Sequence, residues 1–156
     1  MKLQVDTASF EMFSDEYFMY EALKQAATAF EADEIPIGSV VVSENRIIAR
    51  GYNQTQLLND VTAHAEMLSI TASANFLGAK YLTNCKLYVT VEPCVMCAGA
   101  LYWSQVDKLV IGTSDSKRGY SQFGQQLLHP KTIITTGVLE SECKRLMQEF
   151  FKTKRS

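Results

Sequence analysis

The chain has 156 residues, of which 47% are hydrophobic and 21% charged, a composition typical of a soluble globular protein. Its formal net charge of −2 excludes a strongly basic protein that binds nucleic acid through overall charge alone. No apolar run approaches the roughly 20 residues of a bilayer-spanning helix, and the N-terminus lacks the apolar core of a signal peptide. We therefore expect residues 1–156 to form one cytoplasmic domain with no membrane partner.

Hydrophobic periodicity predicts alternating helices and strands. Ser14, followed by two acids, begins a first helix in which apolar residues recur at helical spacing up to about Glu31. Residues 43–46 form a turn between a β-branched run at 39–42 and a strand at 47–52. The later elements are a helix at 63–77, a strand at 86–91, a helix at 94–103, a strand at 108–111, a loop-rich segment at 112–130, a strand at 132–135 and a helix at 139–151. This order predicts an α/β protein with three layers, α/β/α, in which a mixed sheet of about five strands is flanked by helices.

Two short segments contain side chains suited to metal binding. Cys94 and Cys97 lie three residues apart, so both sulfurs share one face of a helix's first turn. His64 begins the second segment, and Glu66 follows it two positions later. Three nitrogen and sulfur ligands with a carboxylate that need not bind the metal are typical of a catalytic zinc site, whose fourth position is open to water. The sequence therefore predicts one zinc ion per chain, held by His64, Cys94 and Cys97.

This site would support hydrolysis. Zinc lowers the pKa of a bound water toward about 7, and a carboxylate at Glu66 can take the water's proton and pass it to a leaving group. Together they would convert an amidine-like C–NH2 to C=O and release ammonia. Glu66 is therefore the predicted catalytic residue. Cys85 and Cys143 are isolated in the sequence, and we expect them to be buried apolar residues.

The two segments together follow the pattern H-x-E…P-C-x-x-C, as His-Ala-Glu at 64–66 and Pro-Cys-Val-Met-Cys at 93–97. The chain resembles the zinc-dependent nucleobase deaminases, for which this pattern is a signature. Within that superfamily it is most similar to the tRNA adenosine deaminases, from about residue 34 to residue 151. Further segments that carry this resemblance are 34–38, 51–53, 87–100, 137–139 and 142–151.

The resemblance implies a cytidine deaminase-like fold, a homodimer, and hydrolysis of adenosine to inosine at the wobble position of a tRNA anticodon loop. It assigns zinc binding to His64, Cys94 and Cys97, and proton transfer to Glu66. The residues that it implies for substrate binding are Asn53 and the backbone N–H of Ala65 at the target nucleoside, Ile37 as a wall for the base, Asp115 and Lys117 in a loop that matches the family, and Phe150 or Phe151 near the flanking nucleotides.

Several of these residues have structural interpretations as well. Asn53 would fit a turn after a strand, Ile37 a core position, and Phe150 and Phe151 the apolar face of a terminal helix. The basic side chains that would contact RNA phosphates also fit a solvated surface. They are Lys117, Arg118, Lys152, Lys154 and Arg155.

The sequence leaves the substrate open. Segment 112–130 is shorter than in most tRNA enzymes of this type and has Leu128 and His129 where they usually have an Asn-His pair. Segment 99–103 resembles the guanine deaminases of the same superfamily. The alternatives to a tRNA deaminase are thus an enzyme that acts on a free purine, pyrimidine or nucleoside, and a zinc-stabilised module without catalytic function.

Overall fold

A computed structural model of the protein describes residues 2–155. The helices are α1 (Asp15–Glu31), α2 (Ala65–Leu77), α3 (Val95–Ser104) and α4 (Glu140–Arg155), and the strands are β1 (Gly38–Ser43), β2 (Arg46–Tyr52), β3 (Cys85–Val91), β4 (Lys108–Thr113) and β5 (Ile133–Thr135). The strands form one sheet in the order β2-β1-β3-β4-β5. Strand β1 is antiparallel to β2 and β3, whereas β3, β4 and β5 are parallel. The predicted mixed sheet of five strands is confirmed.

The sheet separates two apolar cores. Because successive strand residues point to opposite faces, Val41 packs in one core, and Val40 and Val42 pack in the other. Leu101 of α3 lies in the first core, and Leu146 of α4 lies in the second. Helices α2 and α3 therefore cover one face and α1 and α4 the other, which confirms the predicted three-layer α/β/α architecture.

Local sequence signals explain where the first elements begin and turn. The Ser14 hydroxyl accepts the backbone N–H of Tyr17 at 3.1 Å, as expected for the N-cap residue of α1. Glu44 and Asn45 both have positive φ, the conformation of a type I′ turn, which matches the twist of the β1–β2 hairpin. A Cβ atom at Gly38 would lie 2.2 Å from the Ala22 carbonyl oxygen, so glycine allows β1 to approach α1 closely.

Helix α4 extends further than predicted, to Arg155 rather than to residue 151. The prediction ended where apolar periodicity ends. The last turn contains Lys152, Lys154 and Arg155, cations that interact favourably with the negative end of the helix dipole. Helix formation here therefore needs no further apolar residue.

The segment before α1 packs against α4. The Gln4 N–H donates to Glu142 at 3.0 Å, and Arg145 donates to the Lys2 carbonyl at 3.2 Å. Leu3 and Val5 pack against the core between the sheet and helices α1 and α4. Among residues 2–155, no helix combines the length and the apolar character needed to cross a membrane.

Candidate active site

The parallel pairing of β3 and β4 brings their carboxyl ends together, with Val91 beside Thr113. The segments that follow these strands therefore meet at one edge of the sheet, where open α/β sheets usually bind ligands. His64 is the N-cap residue of α2, and Cys94 is the N-cap residue of α3. Two helix N-termini thus meet at this edge.

The start of α2 is fixed to the sheet by short polar contacts. The Ser39 hydroxyl donates to the Ala65 carbonyl at 2.9 Å and also contacts the Ser69 hydroxyl. A Cβ atom at Gly51 would lie 2.6 Å from that same carbonyl, so β2 can approach the helix only with glycine there. These contacts set the position of the helix turn that contains His64 and Glu66.

His64, Cys94 and Cys97 could hold one metal ion, since their ligand atoms all lie within 4.8 Å of one another. His64 Nδ1 is 3.6 Å from Cys94 Sγ and 3.5 Å from Cys97 Sγ. A tetrahedral zinc ion with Zn–S of about 2.3 Å and Zn–N of about 2.1 Å separates sulfur from nitrogen by about 3.6 Å. The three side chains therefore already have the spacing of zinc ligands.

The electrostatics of the cluster favour a cation. The hydrogen bond from Cys97 lowers the pKa of Cys94 to about 4, so Cys94 is a thiolate at neutral pH. That hydrogen bond and burial together raise the pKa of Cys97. The contact with Cys94 raises the pKa of His64. The cluster thus holds protons that are released when a metal binds.

Glu66 lies beside this cluster and is only 3% exposed. Burial raises the pKa of Glu66 to about 7, and the negative charge of Cys94 acts in the same direction. Within residues 2–155, the side chains close enough to share one ion are His64, Cys94 and Cys97. The buried Glu66 carboxyl group therefore lies next to a cluster that could hold a metal ion, where an acid or base could act.

An open cavity of about 870 Å³ lies over the cluster. Its floor includes His64, Glu66 and Cys94. Of the residues predicted to bind substrate, those that line it are Ile37, Asp115, Lys117 and Phe151. Asn53 and Ala65 line a smaller adjoining cavity of about 110 Å³, together with Ile37, His64 and Glu66. The structure thus brings six of the seven predicted substrate residues to the metal cluster.

Phe150 has a different environment. It is 5% exposed, and its ring packs edge-on against Phe30 with centroids 5.7 Å apart. It lines a separate cavity near Asp33 and Lys154 rather than the one over the cluster. Phe151 is 38% exposed. Of the two phenylalanines, Phe151 is the one that a substrate in the main cavity would meet.

One face of α4 forms a wall of the main cavity, of which the sequence predicted Phe151 and Arg155 but not the rest. Lys144, Gln148, Phe151 and Arg155 recur at helical spacing and all line it, as does Met147. The available signal was this periodicity within a basic terminal helix. In the sequence alone, a row of basic and polar residues at helical spacing indicates a solvated face.

Two buried carboxylates hold the loops that border the site. Glu34 is 1% exposed and accepts the backbone N–H groups of Gln56 and Leu57 at 3.1 and 2.7 Å. Glu92 is 8% exposed and accepts N–H groups from Asp115 and Ser121. Neither glutamate was predicted to have a role, since the residues that donate to them are distant in the chain.

The layered fold and the three-ligand site beside a buried carboxyl group define the class of zinc-dependent deaminases. Residues 12–113 match the family described as the cytidine and deoxycytidylate deaminase zinc-binding region. The chain belongs to this family and is a zinc-dependent aminohydrolase. The prediction of zinc as its cofactor is thereby confirmed.

Comparison with individual proteins gives closer similarities. The chain is 42% identical over 144 residues to a tRNA-specific adenosine deaminase of Agrobacterium fabrum, with 89% of this chain and 95% of that protein covered. A structure from a study of A-to-I editing by tRNA:A34 deaminases has a TM-score of 0.78 at 41% identity, covering 83% of this chain and 98% of that one. The guanine deaminase of Nitrosomonas europaea has a TM-score of 0.75 at 26% identity, covering 88% and 84%.

Proposed function

We propose that the protein hydrolyses adenosine to inosine at the wobble position of a tRNA anticodon loop, releasing ammonia. The observation that carries this proposal is the charge around the cavity. Its border has four exposed cations, Lys117, Arg118, Lys144 and Arg155, against the acids Asp115 and Glu140, although the chain as a whole has a net charge of −2. Cations gathered around an open cavity over the metal cluster suit the phosphates of an RNA strand.

Similarity to named proteins supports the same substrate. The tRNA deaminase of Agrobacterium fabrum aligns with nearly the whole chain at 42% identity. Identity with the guanine deaminase of Nitrosomonas europaea is 26%. The observations therefore favour the RNA substrate over a free base.

The residues of the site have separate roles in this proposal. When bound by His64, Cys94 and Cys97, zinc supplies Lewis acidity that makes a water molecule nucleophilic near neutral pH. The Glu66 carboxyl group would take one proton from the attacking water and deliver it to N1 of the purine, and would then take the second proton from the new hydroxyl group on C6 and deliver it to the departing amino group. Water supplies the new oxygen and ammonia departs, so the reaction is balanced without another reactant.

Substrate positioning falls to residues around Glu66. Ala65 is the first residue of α2, where backbone N–H groups have no partner within the helix and remain available to a ligand. Asn53 and Ile37 line the same small cavity. We therefore assign to Asn53 the polar contact with the target nucleoside, and to Ile37 the apolar contact with the face of its base. Phe151, Asp115 and Lys117 border the larger opening, where the flanking nucleotides would lie.

We propose a homodimer with helices α2 and α3 at its interface. Large apolar side chains are exposed on this layer, including Trp103 at 74% and Phe76 at 63%. An apolar surface of this kind is typical of a subunit interface. A tRNA substrate also agrees with the expected cytoplasmic location and with one catalytic domain over residues 1–156.

The test compares substrates directly. Purified protein is incubated with an anticodon stem-loop carrying adenosine at the wobble position, and separately with guanine, cytosine, adenine and their nucleosides. We expect ammonia release and inosine from the stem-loop alone. Turnover of a free base or nucleoside without turnover of the RNA would replace the proposal with the salvage alternative. A zinc-loaded protein that is inactive on every substrate would favour the non-catalytic module.

A further inference from the structure

Glu92 connects the segment that contains Cys94 to the loop at 114–121. Its Oε1 accepts the Asp115 N–H at 3.2 Å, and its Oε2 accepts the N–H and the hydroxyl of Ser121 at 2.9 and 2.6 Å. Among residues 2–155 these three donors are its hydrogen-bond partners, and no cation pairs with it. A buried carboxylate is costly unless hydrogen-bonded, so the loop and Glu92 stabilise each other.

The loop is built to lie close against Glu92. A Cβ atom at Gly119 would lie 2.3 Å from the Glu92 carboxylate, so any larger residue would push the loop away. Tyr120 donates its N–H to the Pro93 carbonyl at 2.9 Å, and Gly119 forms a β-bridge with Cys94. The loop is therefore fixed along the whole segment from Glu92 to Cys94.

This attachment determines where the loop's charged side chains lie. Asp115 Oδ1 accepts the N–H groups of Lys117 and Arg118, each at 3.0 Å, and so fixes the turn that holds both cations. Glu92 in turn holds Asp115 in place by accepting the backbone N–H of Asp115. Lys117 and Arg118 line the cavity over the metal cluster.

We infer that Glu92 is a positioning residue for the nucleic-acid strand: it fixes the 114–121 loop so that Lys117 and Arg118 lie over the metal site. This inference rests on the proposed function, because the strand is the RNA of that proposal. Glu92 acts on substrate binding through these cations and takes no part in proton transfer.

The experiment measures kcat, KM and zinc content on the wobble-adenosine stem-loop. Glu92→Gln keeps the side chain's shape but replaces one acceptor oxygen with an NH2 group, which can only donate. We expect KM to rise about tenfold, the effect of one lost hydrogen bond to a charged group. Ser121→Ala removes only the hydroxyl donor, and we expect a smaller rise, about threefold. In both variants kcat stays within about twofold and zinc content is unchanged, because the metal ligands and Glu66 keep their positions.

Two controls separate positioning from general destabilisation. Asp15→Asn removes another partly buried, hydrogen-bonded carboxylate far from the cavity, and we expect KM to be unchanged. In a Lys117→Ala/Arg118→Ala background, Glu92→Gln should raise KM much less, because the cations that it positions are absent. An equal rise in both backgrounds, an unchanged KM, or a loss of zinc in Glu92→Gln would overturn the inference.

Hydrogen exchange distinguishes this inference from the proposed function. If wild-type protein does not turn over the RNA, the proposed function fails, and the loop is examined without RNA. The N–H groups of Asp115 and Ser121 should then exchange faster in Glu92→Gln than in wild type. Unchanged exchange at both amides would show that Glu92 does not hold the loop.

Discussion

His64 and Cys94 have the same structural role in two different helices. Each is an N-cap residue with extended backbone, and His64 Nδ1 lies 3.6 Å from Cys94 Sγ. Neither side chain caps its own helix by a hydrogen bond, so both are directed to the cluster instead. Helix N-termini stabilise negative charge, which favours the thiolates that zinc requires.

This arrangement predicts that metal binding depends on both cysteines. We expect Cys94→Ser and Cys97→Ser to lose zinc and to lose activity by more than about 100-fold, since even residues that only support a ligand contribute about that much. Metal analysis by mass spectrometry together with inosine formation measures both effects. Cys85→Ser is the matched control, because Cys85 is buried away from the cluster, and it should keep its zinc. Full zinc occupancy in Cys94→Ser would contradict the assignment.

Glu66 should be needed for turnover but not for zinc. The Glu66→Gln side chain keeps its size but cannot exchange a proton, so kcat should fall by about 10²–10⁴, the usual contribution of general acid–base catalysis. Zinc content should equal that of wild type, because the three ligands remain. Single-turnover inosine formation with parallel metal analysis provides the measurement. Turnover near the wild-type rate would exclude Glu66 as the proton shuttle.

The metal site could be predicted from the sequence because its residues lie in two short segments. The spacing of Cys94 and Cys97 fixes their common face, and the strand–helix pattern places both segments at helix starts. Lys144, Met147 and Gln148 in the wall formed by α4 could not be predicted in this way. Lys144 and Gln148 look like solvated residues until the order of β4 and β5 brings α4 over the cluster.

The role of Glu92 also lies outside sequence reasoning. Its partners Asp115 and Ser121 are 23 and 29 residues away, and no local pattern connects them. Phe150 and Phe151 each had two interpretations, as a substrate contact or as an apolar residue of the terminal helix. Only packing distinguishes them, because the two side chains point in different directions from α4. Tertiary contacts thus decide what local periodicity leaves open.

The stability of the protein should depend on pH through Asp15. Burial acts to raise the pKa of this carboxyl group, but hydrogen bonds from Lys108 and Tyr88 outweigh burial and hold the pKa below its ordinary value of 3.8. A lowered folded-state pKa contributes stability above the unfolded-state value, and that stability is lost as pH falls through the folded-state pKa. Asp15→Asn should therefore lower the free energy of unfolding by about 1–2 kcal/mol at pH 7.

The same substitution should matter less in acid. Urea denaturation at pH 7 and at the lowest pH where the fold persists gives the two free energies of unfolding. Below pH 3.8 the difference between Asp15→Asn and wild type should shrink, because Asp15 becomes protonated first in the unfolded chain and only at lower pH in the folded protein. An equal difference at both pH values would show that the Lys108 and Tyr88 contacts do not act through charge.

The proposed dimer should depend on Trp103, which is 74% exposed on α3. Trp103→Glu places a charge that cannot be buried without large cost, so the two copies should separate. Light scattering after gel filtration should then give 17.5 kDa rather than twice that mass. Met12→Glu is the control, because Met12 is 73% exposed beside the opposite helix layer and should leave the mass unchanged. A monomeric wild-type protein would overturn the dimer.

Binding of RNA should weaken with salt, and Lys144 should account for part of that dependence. Each phosphate contact with a single strand contributes about 0.7 to the slope of log affinity against log salt concentration. Lys144→Ala should therefore reduce the slope by about that amount and raise KM on the stem-loop, as measured by fluorescence anisotropy and steady-state kinetics. Lys80→Ala is the matched control, because Lys80 lies beside Tyr81 beyond the end of α2 and does not line the cavity. A slope that is unchanged in Lys144→Ala would mean that Lys144 does not contact the strand, and the cation border would then consist of Lys117, Arg118 and Arg155.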